Sequence, residues 1–163
     1  MAQQTVFDFT LTTLQGQPLD LRQFAGKPLV IVNTASKCGF TPQYEGLQAL
    51  WSHHREQGLT IIGVPSNDFA RQEPGSDTEI GAFCSRNYGV SFPMTEKLHV
   101  RGPEMHPLFG WLGQQGGALS KPRWNFFKYV IGRDGRLATW FSSVTTPDNK
   151  RFRSAVDRVV AGG

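Results

Sequence analysis

The 163-residue sequence is poor in cysteine, since it contains only Cys38 and Cys84. Two cysteines are too few for the disulfide framework of a small secreted protein. No apolar run is long enough to cross a bilayer, and the first residues have neither the basic nor the apolar segment of a signal peptide. We therefore expect a cytoplasmic protein that is not bound to a membrane, unless a targeting segment has been removed.

The sequence also lacks metal-binding and phosphate-binding motifs. The histidines His53, His54, His99 and His106 show no ligand spacing, there is no Cys-x-x-Cys pair, and Gln114–Leu119 is typical of a turn. The net charge of +4 comes from scattered lysines and arginines, which gives little support to nucleic-acid binding. We expect no metal, no cofactor and no nucleic-acid partner.

The first half of the sequence predicts a β-hairpin followed by a strand–helix–strand unit. Phe7–Leu11 alternates between apolar and polar residues, as the first strand of a hairpin does. Pro28–Thr34 and Leu59–Val64 are apolar runs typical of strands that are covered on both faces. Between them we expect Thr41 to cap a helix that ends at Gly58. A right-handed connection of this kind makes the two strands a parallel pair.

The second half predicts three helices and an antiparallel strand pair. One helix begins at the capping box Ser76–Glu79, a second lies around His106–Gln115, and Pro147 begins the last. Asn125–Ile131 and Arg136–Phe141 are predicted strands, joined by a hairpin turn at Asp134-Gly135. The whole order predicts one domain, residues 1–163. Its fold is an α/β thioredoxin-like sandwich with a mixed central sheet, an N-terminal β-hairpin and flanking helices, and such a fold alone assigns no function.

Cys38 occupies a position that favours reaction. It follows a buried parallel strand and precedes a helix, and open α/β sheets place their ligand crevices at that edge. The partial positive charge of the helix end and the neighbouring Lys37 favour the thiolate, which is the nucleophilic form. On position alone, a small buried hydrophobic residue is an equal alternative.

Five ordered stretches resemble the glutathione peroxidase family of thiol peroxidases. They are Asn33–Leu47, Gln72–Ser76, Phe83–Met94, Gly102–Leu108 and Arg123–Tyr129, and their intervals fit over nearly the whole chain. The resemblance implies an antioxidant enzyme that reduces hydrogen peroxide and organic hydroperoxides. Cys38 would be the peroxidatic nucleophile, in the place where the selenium-containing members have selenocysteine.

The same resemblance implies the remaining site residues. Gln72, Trp124 and Asn125 match the family's supporting amides and indole, which are neutral donors that can stabilise a thiolate and the leaving oxygen. Cys84 matches the resolving cysteine of two-cysteine members, which attacks the Cys38 sulfenic acid to form a disulfide that thioredoxin reduces. Taken singly, Trp124 suits a core aromatic, Gln72 and Asn125 suit turns, and Cys84 suits a packed helix face.

The chain also departs from the family's usual pattern. Ser66 replaces a cysteine that many relatives carry, Asp68 replaces a common Gln, and Phe127 replaces a common Thr. The short stretch between His106 and Trp124 lacks the insertion through which tetrameric relatives assemble, so we expect a monomer or a small dimer. The nearby Arg71, Arg123 and Lys128 are expected to be solvated charges.

Three other functions remain open on the sequence. The first is a one-cysteine peroxidase that uses glutathione, and the second is a peroxide sensor that relays oxidation to a partner protein. The third is a thioredoxin-fold binding module with inert cysteines. In the two-cysteine cycle, we expect the helix over Ser76–Tyr88 to unravel locally before the disulfide can form.

Overall fold

The computed structural model describes residues 3–162. Its strands are β1 (Thr10–Thr12), β2 (Pro18–Asp20), β3 (Leu29–Thr34), β4 (Thr60–Pro65), β5 (Lys128–Ile131) and β6 (Leu137–Phe141). Its α-helices are α1 (Gln43–His54), α2 (Asp77–Tyr88), α3 (Pro107–Gly116) and α4 (Lys150–Val160). Short 3₁₀ turns occupy Val6–Asp8, Leu21–Phe24, Arg55–Gln57 and Ala118–Ser120. None of the helices within these residues is long and apolar enough to span a membrane.

The central sheet has the strand order β4-β3-β5-β6. Strand β3 is parallel to β4 and antiparallel to β5, so the sheet is mixed, as predicted. The predicted hairpins form, because β1 pairs antiparallel with β2 and β5 pairs antiparallel with β6. Their first strands begin later than predicted, since Phe7 lies in a 3₁₀ turn and β5 begins at Lys128 rather than at Asn125. Strand β3 thus lies inside the sheet, between β4 and β5, and the loop to α1 follows its carboxyl end.

Two apolar layers cover the sheet. Because side chains alternate along β3, Val30 and Val32 face one layer while Leu29 and Ile31 face the other. The first layer is completed by α1, α4 and the inner side of α2, and the second by α3 and the N-terminal hairpin. Full burial of one such aliphatic side chain contributes roughly 1.5–3 kcal/mol. Both layers therefore hold the carboxyl end of β3 in place.

The helix starts agree only in part with the sequence patterns. Helix α2 begins as predicted, with a capping box between Ser76 and Glu79. Helix α4 begins at Lys150 rather than at Pro147, because the Asn149 side chain accepts hydrogen bonds from the first free N–H groups of that helix. The prediction that Thr41 caps α1 is wrong, since this helix begins at Gln43 and the Thr41 side chain has other partners.

Candidate active site

The loop between β3 and α1 is closed around Cys38. The Thr41 hydroxyl accepts a hydrogen bond from the Cys38 N–H at 2.9 Å and donates one to the Ala35 carbonyl at 2.8 Å. The Phe40 N–H lies 3.4 Å from the Cys38 sulfur and donates to it. Cys38 is only 8% exposed. The sulfur is thus fixed near the surface and already receives one backbone donor.

Gln72 and Asn125 meet in a direct hydrogen bond. The Asn125 NH₂ group donates to Gln72 Oε1 at 2.9 Å, and Asn125 is fully buried. The Gln72 carbonyl accepts the N–H of Lys37 at 2.9 Å, which anchors Gln72 beside the Cys38 loop. Because Asn125 occupies the side-chain oxygen of Gln72, the Gln72 NH₂ group is the one left to donate elsewhere.

Trp124 is held through Asn33, a buried polar residue of β3. Asn33 donates to the Trp124 carbonyl at 2.9 Å and accepts from the Phe127 N–H at 2.9 Å. The half-buried Trp124 ring lies 6.0 Å from the ring of Phe69, measured between centroids. Asn33 therefore ties the segment that carries Trp124 and Asn125 to the strand that precedes Cys38. In the sequence, the only sign of this role is that Asn33 is an amide within the otherwise apolar run of β3.

Strained backbone borders the two amides. Ala70 and Arg71, directly before Gln72, have φ values of 53° and 52°, and Phe126, directly after Asn125, has 63°. Residues with a Cβ rarely adopt this left-handed region, and such strain concentrates at functional sites. The strained residues are therefore the direct chain neighbours of Gln72 and Asn125, and their backbone conformation sets the direction of these two side chains.

Lys128 contributes to this support, and its predicted solvation is wrong. The side chain is fully buried, and its Nζ donates to Gln43 Oε1 at 2.9 Å, to the Phe126 carbonyl at 2.7 Å and to the Ser142 carbonyl at 3.1 Å. Burial lowers the pKa of Lys128 to about 7. Arg71 and Arg123, by contrast, are exposed as predicted.

Cys84 lies within α2, and it makes none of the hydrogen bonds described above for the Cys38 loop, Gln72 and Asn125. It is 2% exposed and belongs to the same apolar cluster as Cys38, and both thiols are free. Burial raises the pKa of Cys84 to about 11; the Tyr44 hydroxyl acts against this shift and the charge of Glu73 adds to it. The structure thus places Gln72 beside the Cys38 loop and joins it to Asn125, which follows Trp124 in the chain. Cys84 lies in a neighbouring helix, where its raised pKa keeps the thiol protonated at neutral pH.

The Asp68 carboxylate binds the neighbouring segment that contains His99 and Val100. It accepts from the Val100 N–H at 2.7 Å and pairs with the His99 ring at 2.8 Å. Within residues 3–162, no three His, Cys, Asp or Glu side chains gather in a way that could hold a metal ion. The chemistry that these residues can perform is that of a thiol supported by neutral donors.

Solved structures with this fold include the crystal structures of Trgpx in its apo form and of T. cruzi GPX1. The first has a TM-score of 0.79 and 30% identity, covering 98% of this chain and 97% of that one. The second has a TM-score of 0.77 and 29% identity, covering 98% of each. A thioredoxin family protein from Chlorobium tepidum, at 14% identity and a TM-score of 0.72, shares the fold alone. The predicted thioredoxin-like fold is confirmed, and with a cysteine after β3 it defines the class of thiol oxidoreductases.

Sequence relatives narrow this class to one family. The glutathione peroxidase family model matches residues 6–113. A hydroperoxy fatty acid reductase, gpx1, of Synechocystis sp. is 44% identical over 155 residues, which cover 90% of this chain and 92% of the relative. The glutathione peroxidase-like peroxiredoxin HYR1 of Saccharomyces cerevisiae is 46% identical over 138 residues, covering 83% and 85%. The chain belongs to the glutathione peroxidase family, as predicted, and is a thiol peroxidase.

Proposed function

We propose that Cys38 reduces hydrogen peroxide and organic hydroperoxides and that Cys84 then resolves the oxidised sulfur. The Cys38 thiolate attacks the peroxide, the O–O bond breaks, and the leaving oxygen takes up a proton as water or alcohol. Cys84 next attacks the Cys38 sulfenic acid, which forms the S–S bond and releases water. An external dithiol, for which we propose thioredoxin, reduces the disulfide by exchange.

The observation that carries the first step is the hydrogen bond from Asn125 to Gln72. It leaves the Gln72 NH₂ group as a fixed donor, while Lys37 anchors the same residue next to the nucleophile. We assign to Gln72, the Trp124 indole and Asn125 the stabilisation of the thiolate and of the negative oxygen that leaves. Fixed donors in a largely buried site act strongly because they need no reorganisation during the reaction.

Two observations support the second step and its substrates. Cys84 belongs to the buried cluster that also contains Cys38, so the path between the two sulfurs lies inside one packed layer. Relatives in Synechocystis sp. are named hydroperoxy fatty acid reductases, which supports organic hydroperoxides among the substrates. Relatives in Chlamydomonas reinhardtii and Schizosaccharomyces pombe are named glutathione peroxidase-like peroxiredoxins, which supports a thiol-based cycle.

The test is NADPH consumption with hydrogen peroxide, coupled in parallel to thioredoxin with its reductase and to glutathione with its reductase. Wild type, Cys84→Ser and Cys38→Ser are compared. We expect thioredoxin-dependent turnover in wild type and its loss in both variants. Equal turnover with glutathione in wild type and Cys84→Ser would instead establish a one-cysteine peroxidase. Fast stoichiometric oxidation with slow turnover in excess reductant would favour a peroxide sensor.

We also propose a monomer, or a small dimer, that works in the cytoplasm. The support is the short connection from α3 to β5, which contains only the 3₁₀ turn Ala118–Ser120 and no assembly insertion. Sedimentation at several concentrations measures the oligomeric state, and a stable tetramer would contradict the proposal. Localisation of the tagged chain in its host cell tests the compartment.

A further inference from the structure

Three buried polar side chains from distant parts of the sequence form a closed set of hydrogen bonds. Lys128 Nζ donates to Gln43 Oε1 at 2.9 Å, and the Gln43 NH₂ group donates to the Ser143 carbonyl at 2.6 Å. The Ser143 hydroxyl donates in turn to the carbonyl of Asn125, three residues before Lys128 in the chain. Gln43 and Ser143 are 6% and 5% exposed, and Lys128 is fully buried. We call Gln43, Lys128 and Ser143 the polar ring.

The polar ring holds the backbone on both sides of the strained residue Phe126. On the side before it, the Asn125 carbonyl is bound by the Ser143 hydroxyl, and the Phe126 N–H donates to the Asn33 carbonyl at 2.6 Å. On the side after it, the Phe126 carbonyl accepts a hydrogen bond from Lys128 Nζ at 2.7 Å. Phe126 has a φ of 63°, which a residue with a Cβ keeps only where the surrounding structure holds it. These hydrogen bonds supply that restraint.

The restraint reaches the active site through the Asn125 side chain. The Asn125 NH₂ group donates to Gln72 Oε1 at 2.9 Å, but Asn125 Oδ1 is buried and has no hydrogen-bond partner within residues 3–162. The single bond to Gln72 therefore does not fix the amide by itself. The orientation of Asn125 depends on the backbone, which Asn33 binds at the Trp124 carbonyl and Ser143 binds at the Asn125 carbonyl. Holding this backbone sets the direction of both amides.

Gln43 also joins the polar ring to the loop that carries the nucleophile. Gln43 is the first residue of α1, and its N–H donates to the Phe40 carbonyl at 2.9 Å. Phe40 is the residue whose own N–H donates to the Cys38 sulfur. A continuous path of hydrogen-bonded residues therefore runs from the donor on the sulfur, through Gln43 and Ser143, to Asn125.

We propose that the polar ring positions Asn125, and through it Gln72, for the reaction of Cys38 with peroxide. This inference rests on the donor roles proposed for Asn125 and Gln72. Within residues 3–162, no hydrogen bond joins Lys128 or Ser143 to Cys38, so these two residues act on the nucleophile through the amides. A donor stabilises developing charge strongly while its position is fixed, and a displaced donor must first reorganise. Loss of the polar ring should slow the oxidation of Cys38 although every proposed donor is still present.

The first test is Ser143→Ala, which removes the hydroxyl that binds the Asn125 carbonyl. Rapid mixing of the reduced protein with hydrogen peroxide gives the rate constant for oxidation of Cys38. We expect it to fall about tenfold, which is less than for direct loss of a preorganised donor. The matched control is Ser120→Ala in the turn between α3 and β5, because Ser120 is also buried and its hydroxyl donates to the Gly117 carbonyl at 2.6 Å. We expect the wild-type rate constant from this control.

The second test shows whether Ser143 acts through Asn125. Asn125→Ala should slow the oxidation about 10²-fold, and adding Ser143→Ala to it should cause no further loss, because the group that Ser143 positions is gone. A hydroxyl with a purely structural role would act by the same factor in both backgrounds. NMR of the side-chain NH₂ groups gives an independent readout. The Asn125 and Gln72 signals should shift or broaden in Ser143→Ala and stay unchanged in Ser120→Ala.

Three outcomes would overturn the proposal. They are an unchanged rate constant in Ser143→Ala, the same fold loss from Ser143→Ala when Asn125 is already alanine, and slower oxidation with unchanged Asn125 and Gln72 signals. A different result identifies failure of the proposed function itself. If Asn125→Ala alone reacts with peroxide at the wild-type rate, the donor role of Asn125 fails, and this inference fails with it.

Discussion

The two cysteines share one apolar cluster but differ in the backbone that holds them. Cys38 lies in a loop, where the Phe40 N–H is free to donate to its sulfur. Cys84 lies inside α2, and its carbonyl is bound by the N–H groups that end the helix at Gly89 and Val90. Similar burial therefore surrounds two sulfurs with different access to donors and different freedom to move.

This difference teaches that apolar surroundings alone do not select the reacting cysteine. A thiolate forms where fixed donors reach the sulfur, whereas burial without enough donors keeps the thiol protonated, as the pKa of about 11 for Cys84 shows. Gln72 and Asn125 meet close to Cys38. The five predictions below test this contrast, from the largest expected effect to the smallest.

The first prediction concerns which of the two cysteines reacts with hydrogen peroxide. Cys38→Ser should abolish stoichiometric reduction of hydrogen peroxide, because no other thiol in the chain has comparable donors. Cys84→Ser should keep this first oxidation, with one peroxide consumed per chain. Peroxide consumed in a single turnover measures both variants, and stoichiometric oxidation by Cys38→Ser would contradict the assignment.

Removing a hydrogen-bond donor near Cys38 should lower the reactivity of Cys38 with peroxide and leave Cys84 unchanged. In Gln72→Ala, the rate constant for oxidation by hydrogen peroxide should fall about 10²-fold, as for loss of one preorganised donor. Rapid-mixing measurement of that rate constant is the check. Gln114→Ala, at an exposed position of α3, is the matched control. An unchanged rate in Gln72→Ala would exclude its proposed role.

Support for the Cys38 side of the molecule depends on Lys128. Lys128→Met should lower the free energy of unfolding by roughly 2 kcal/mol, about 30-fold in the folding equilibrium, because two buried oxygens and one partly buried oxygen lose their donor. Urea unfolding gives the value, with exposed Lys27→Met as control. An unfolding free energy equal to that of the control would show that these oxygens do not depend on Lys128.

The same residue predicts the pH dependence of stability. Burial lowers the pKa of Lys128 in the folded protein to about 7, below the ordinary lysine value of 10.5, so the unfolded chain binds more protons between these two values. The stability that Lys128 contributes should therefore rise as pH increases from 7 towards 10. Wild type should gain stability relative to Lys128→Met over this window, and a constant difference would contradict a lowered pKa.

The smallest expected effect is on the mobility of the helix that carries Cys84. We expect disulfide formation to draw Cys84 out of its place in α2, so amide exchange over Asp77–Tyr88 should rise about tenfold on oxidation. Helix α4 in the same protein is the internal reference, and peroxide-treated Cys84→Ser should show no rise. Unchanged protection of α2 in the disulfide form would mean that the bond forms without local unfolding.

Local patterns predicted most of the fold. The turn signals of the two hairpins, the apolar runs of β3 and β4 and the capping box of α2 are properties of neighbouring residues, and all are confirmed. Thr41 shows the limit of such patterns. A threonine before a proline suits a helix cap, but its hydroxyl has better partners in the Cys38 loop.

The sequence by itself determined the order and type of the main helices and strands, the family and the position of the cysteine that follows β3. Only the tertiary structure decided how Gln72 meets Asn125, 53 residues away, and how Lys128 reaches Gln43, 85 residues away. It also decided that Lys128 and Glu73 are buried. The physical reason is that the cost of burying a polar group depends on the partners it finds there, and those partners come from distant parts of the chain.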